Sequence, residues 1–120
     1  MSERSDLGER LLDFGAQVVK LIASLPSNVV CQRIGDQLLR SATSVGANYQ
    51  EAQAAESTAD LVRKLQLALK KLREADYWLR LLQRAEIIPP GRLADVADEA
   101  TQLKAIMSKA LATAKGTSKS

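Results

Sequence analysis

The chain has 120 residues, 46% of them apolar and 26% charged, with a formal net charge of +3; this suits one soluble globular domain with a continuous core and leaves no room for two ordinary ones. No apolar run approaches the roughly 18 residues of a membrane-crossing helix, and "MSERSDLGER" mixes acids and bases with no apolar segment of signal-peptide type behind it, so a cytoplasmic location and no membrane partner are expected. One cysteine and no histidine exclude an internal disulfide, the familiar zinc-finger ligand sets and His-based nucleophiles; no metal or cofactor is expected, and Cys31 reads as a small apolar residue rather than a reactive thiol.

Leu7, Leu11, Phe14, Val18, Leu21 and Leu25 recur in fours and threes, the stripe a helix needs to lie against other helices. A first helix is expected over about 6–25, with Asp6 and Glu9 as a capping box for its unpaired backbone N–H groups. Pro26 and Ser27 interrupt the pattern. A second seam follows at Ile34, Leu38, Ser41, Val45, Asn48 and Ala52, predicting a helix over about 28–55. This seam crosses "RSATSVGANYQEA", whose serines, glycine and glutamate would also suit a catalytic loop or phosphate cradle. A loop has no reason to keep a helical repeat on either side of Val45, so the stretch is read as helix. Its small residues, Ser41, Ala42, Ser44, Gly46 and Ala47, let a neighbouring backbone approach closely at some cost in helix propensity.

Ser57, three residues before Asp60, has the form of the next N-cap. The third helix, about 58–87, carries the most regular heptad: Leu61, Leu65, Ala68, Leu72, Ala75, Leu79 and Leu82. "PPG" at 89–91 breaks it. Leu93, Val96, Ala100, Leu103, Met107 and Ala110 give a fourth helix over about 90–114, with Pro90 suited to its first turn, and Gly116 with "TSKS" leaves 115–120 as a flexible tail. Amphipathic helices without alternating strand patterns, joined by short connections, imply an all-α fold: a single antiparallel up-down-up-down four-helix bundle.

Asn48 falls on the predicted core seam, where an unpaired amide would cost about 1–3 kcal/mol. Its candidate partners are Ser41 on its own seam and a polar residue of the third helix such as Glu74. A nucleophilic role for Ser41 or Ser44 with Glu51 or Glu74 as base lacks a histidine or glycine-rich elbow, and helical serines usually bond back to the preceding turn. The chain is therefore expected not to be an enzyme. On the third helix Leu67, Tyr77, Trp78 and Leu81 lie off the main seam, as a discontinuous second stripe that suits contact with a sister subunit, or a wide single core capped by Trp78.

Charge is concentrated on the same helix. From Leu61 to Arg84 seven bases (Arg63, Lys64, Lys70, Lys71, Arg73, Arg80, Arg84) face only Glu74 and Asp76, a net +5. Such a helix is either a solvated face or a site for a polyanion such as RNA or DNA, and repetition around an oligomer would favour the polyanion. Aromatic residues make up only 3% of the chain, so binding is expected to be mainly electrostatic.

"QLLRSATSVGANYQEA" followed by "KLQLALKKLREADYWLRLL" resembles the four-helix-bundle family of bacterial ribosomal-RNA intervening-sequence proteins over nearly the whole chain. The matching positions include Gln37, Leu38, Arg40, Ser41, Ala42, Ser44, Val45, Ala47, Asn48 and Glu51, then Ala68, Glu74, Tyr77, Trp78 and Leu79. Many relatives have glycine after the glutamate; Ala52 stands there in this chain and suggests an unbroken helix. The resemblance implies a homopentameric ring around a central channel. A related branch, the accessory variability determinants of diversity-generating retroelements, implies basic pentamers that bind a reverse transcriptase and nucleic acid. Combined with the charge pattern, it gives the expected function: a non-enzymatic homo-oligomeric scaffold for nucleic acid or a nucleic-acid enzyme. A protein-interaction adaptor with no direct nucleic-acid contact is the alternative.

Overall fold

The computed structural model describes residues 3–119, with side chains described for 6–116. It contains α1 (Glu3–Ala23), α2 (Val29–Gln53), α3 (Thr58–Ala85) and α4 (Pro90–Lys119), and no strand among the described residues. Each helix packs against its neighbours in sequence, and α1 closes against α4. The result is a rod of 51 × 25 × 21 Å, a length consistent with helices of 21–30 residues rising about 1.5 Å per residue.

The core is one continuous cluster with contributions from every helix, including Leu11, Phe14, Val18, Leu38, Val45, Leu72, Leu79, Leu93, Leu103 and Met107. The predicted seams enter it almost unchanged. Two details of α2 differ. Asn48 is half-buried at the core's edge, and Tyr49 beside it is buried. The Asn48 amide donates to the Ser44 carbonyl at 2.9 Å, one turn back, so neither Ser41 nor Glu74 is its partner. Tyr49 is accommodated by α1, where a Cβ on Gly8 would lie 3.6 Å from the tyrosine Cε2.

Helix ends depart from expectation for local reasons. Helix α1 already includes Glu3, which places Asp6 inside the helix, so the expected Asp6–Glu9 capping box does not open it. At its other end the Ser24 and Leu25 N–H groups bond the Leu21 and Ile22 carbonyls at 3.1 Å, a tightened last turn. Asn28 caps α2 by accepting from the Cys31 N–H at 2.9 Å. Ser57 caps α3 as expected, accepting from the Asp60 N–H at 3.1 Å. Glu86 ends α3 in the left-handed region, with φ 55° and ψ 38°. Pro90 is the first residue of α4, and that helix continues through Gly116 to Lys119 where a flexible tail was expected. Ser120 lies outside the described residues.

Candidate nucleic-acid interface

The basic residues of α3 separate once their partners are assigned. Arg63 pairs with Asp60 at 2.7 Å and Lys71 with Glu74 at 3.6 Å, each within one turn of its own helix. Lys64 reaches Glu51 of α2 at 3.7 Å. Lys70, Arg73, Arg80 and Arg84 are exposed and have no ion pair among the described residues. Their spacing places them, with Gln66 and Tyr77, within an arc of about 80° at 100° per residue. Gln66, Lys70, Arg73, Tyr77, Arg80 and Arg84 thus form one uninterrupted exposed face.

No acid lies on that face. Glu74 sits to one side of it, with Lys71. Asp76, close enough in sequence to meet Arg73 or Arg80, instead turns inward, is 5% exposed and accepts from Lys104 Nζ of α4 at 2.8 Å. The four unpaired cations therefore act together over about 21 Å of helix, and their field is not cancelled locally.

The expected second stripe divides. Trp78 and Leu81 are half-buried, and Trp78 packs against the core. Leu67 is exposed, and Tyr77 stands 58% exposed in the middle of the cationic row. Tyr77 and Trp78 meet edge to face, with centroids 5.1 Å apart and ring planes at 79°. The Trp78 Nε1–H is buried without an acceptor among the described residues.

The remaining residues of the resembling motif lie mainly along the α2/α3 seam. Ser41 is buried and donates to the Gln37 and Leu38 carbonyls at 3.0 and 3.2 Å. Ser44 donates to the Arg40 carbonyl at 2.7 Å. Both hydroxyls are thus spent on the preceding turn, and no base bonds to either of them among the described residues. Glu51 engages Lys64 and Glu74 engages Lys71, while Arg40 is exposed. Glu51 links α2 to α3 through Lys64, whereas Ser41, Ser44 and Glu74 bond within their own helices, and the set does not converge on a reacting centre. No cluster of His, Cys, Asp or Glu suited to a metal occurs among the described residues.

Two polar links escaped the sequence reading. Besides Asp76–Lys104, Arg10 of α1 forms a fork with Glu99 of α4 through Nε and Nη2 at 2.7 and 2.8 Å, and Nη2 also donates to Gln102 at 2.8 Å. The hydrogen bond that Arg10 donates to Glu99 holds the Arg10 pKa above its ordinary value. Asp76 had one local signal: it follows Leu69 by a heptad, on the flank of α3 that faces α4. The Arg10–Glu99 pair spans 89 positions and had none. A concavity of about 680 Å³ lies at a bundle end between Leu7, Tyr49, Leu61 and Ile106 and shares no residue with the cationic row.

Fold and surface together define a small antiparallel four-helix bundle with one strongly cationic outer helix. The chain belongs to the 23S rRNA-intervening sequence protein family, whose model matches residues 4–109. It is similar to a solved structure from Bacteroides thetaiotaomicron, a protein of unknown function from the S23 ribosomal protein family. The two share 32% identity and a TM-score of 0.81, over 92% of this chain and 98% of that one. No curated protein matches the chain.

Proposed function

We propose that this protein is a non-enzymatic, homo-oligomeric scaffold that holds nucleic acid on the outer face of α3. The observation that carries the reading is the row of four exposed cations without ion-pair partners among the described residues, on a face free of carboxylates. Binding by such a row is dominated by phosphate contacts, tolerant of sequence and steeply weakened by salt; four contacts correspond to a log–log slope near −3 on a single strand. A reverse transcriptase that carries nucleic acid is the enzyme class such a scaffold would serve, and a cytoplasmic location follows from that role.

Self-association is supported by apolar side chains that the protomer leaves outside. Leu12 is 65% and Val19 48% exposed, beside a shallow α1/α2 groove of about 570 Å³ lined by Gly8, Gly15, Gly46 and Ala47. A sister subunit seated there, repeated around a closed ring of five, would cover this face and leave the α3 rows outward, so that modest contacts add. The same groove favours the second reading, an adaptor that meets only polypeptides.

The test uses filter retention of labelled RNA and DNA by the wild type and by Lys70→Glu/Arg73→Glu/Arg80→Glu, with light scattering on both. The expected result is loss of retention by the variant, with an unchanged particle mass greater than one protomer and unchanged helical circular dichroism. Undiminished retention would remove α3 as the site. A wild type that binds neither polymer but remains oligomeric would select the adaptor.

A further inference from the structure

We infer that Tyr77 is a stacking platform for an unpaired base, and that the α3 row is therefore built for single-stranded polynucleotide rather than for duplex. This inference rests on the proposed polyanion site and goes one step further, to the form of the strand.

The position of Tyr77 carries the argument. Lys70 and Arg73 lie on one side of it along the helix and Arg80 and Arg84 on the other, with the outermost cations each about 10 Å away. A strand running along the row would place phosphates on both flanks and a base over the ring between them. Tyr77 is 58% exposed although its neighbour Trp78 packs into the core, so its exposure does not come from a poorly covered helix end. The edge-to-face contact with Trp78 at 5.1 Å steadies the ring before any ligand arrives, which lowers the ordering cost of binding. Every base has a face to offer an aromatic ring, so stacking fits a sequence-tolerant site. In a duplex those faces are already covered by neighbouring pairs. The row would then meet only the phosphate rim, and the tyrosine would contribute little.

Trp78 is the only tryptophan and touches Tyr77, which gives a built-in reporter. Titrations would follow Trp78 fluorescence together with the anisotropy of a labelled 20-nucleotide oligo-U, and of the same strand annealed to oligo-A. Wild type, Tyr77→Phe, Tyr77→Ala and Tyr77→Leu are compared at fixed salt. The expected result is tighter binding of the free strand than of the duplex, with a change in Trp78 emission. Tyr77→Phe retains this preference. Alanine and leucine weaken single-strand binding by about five- to hundredfold and leave duplex binding and the salt slope unchanged. Single-strand affinity that is the same with alanine, or equal losses on strand and duplex, would overturn the stacking role. If charge reversal at Lys70 and Arg73 abolishes binding while Tyr77→Ala does not, the polyanion site stands and the stacking platform falls. If no probe binds the wild type at low salt, both fall. Tyr77 is outside the core, so a folded variant is expected; helical circular dichroism checks this.

Discussion

Asp76 and Lys104 make an asymmetric pair, and the asymmetry can be measured. The Asp76 side chain retains 7% of its accessible surface and that of Lys104 31%, with 2.8 Å between charged atoms. Removing the carboxylate with Asp76→Ala frees an ammonium that already reaches water and can rehydrate along its flexible stem. The loss is then one partly exposed charge-assisted hydrogen bond, about 1–2 kcal/mol. Lys104→Met instead leaves a carboxylate enclosed between α3 and α4 with no cation, a change that costs roughly 3–5 kcal/mol in comparable sites. A double replacement, Asp76→Leu/Lys104→Met, removes both charges and fills the space with apolar atoms, which is often neutral or stabilising. It should return to within about 1 kcal/mol of wild type. Urea unfolding followed by circular dichroism, at one fixed protomer concentration because association shifts apparent stability, gives the stability of the wild type and of each variant. A difference of about 2 kcal/mol between the single variants corresponds to about 1 M in midpoint. Equal losses from Asp76→Ala and Lys104→Met, or a double variant whose loss is the sum of the two, would refute the reasoning.

Two further substitutions test local backbone claims by thermal or urea unfolding. Glu86 holds a left-handed conformation at φ 55° that costs a residue with a Cβ about 1–2 kcal/mol and glycine almost nothing. Glu86→Gly should therefore stabilise, by up to about 1 kcal/mol after glycine's greater freedom in the unfolded chain is subtracted. For the glycines of α2, a Cβ on Gly46 would meet Leu11 no closer than 3.9 Å, whereas one on Gly35 would lie 3.3 Å from Ile22 Cγ2. Gly46→Ala should gain about 0.5–1 kcal/mol from helix propensity. Gly35→Ala should gain less or lose, because Ile22 must move.

The seams were legible because large apolar residues at fours and threes have few other uses in a charged chain; Leu7 through Leu21 and Leu65 through Leu82 are all in the core where the spacing placed them. The repeat outlasts the helices, however. Leu25 and Ile87 continue the rhythm and pack against the core from connections rather than from α1 and α3, so periodicity alone places those ends two residues too far along. Tyr49 was missed because its burial depends on Gly8 lying opposite it, a fact of α1/α2 register that no single-helix pattern contains. A straight helix also drifts about 20° per heptad from a strict seven-residue repeat, enough to exchange Asn48 for its neighbour at the core.

The candidate site divides along the same line between local and distant information. That α3 is basic could be counted, and two of its pairings, Arg63 with Asp60 and Lys71 with Glu74, follow the three-residue spacing at which helical side chains meet. The burial of Asp76 required knowing where Lys104 sits on α4, and it is this burial that leaves Arg73 and Arg80 without a carboxylate. The Glu51–Lys64 bridge likewise needs α2 folded back on α3. The polar seam and the cationic face are thus two sides of one arrangement. Each acid of α3 drawn toward α4, or paired within its own turn, is one fewer on the outer row, and the packing of α3 sets the sign of the surface it shows to solvent. Tyr77 belongs to that surface by angle, whereas Trp78, one position later and turned by about 100°, belongs to the core. Adjacent aromatics in sequence therefore divide between the core of the bundle and its cationic surface.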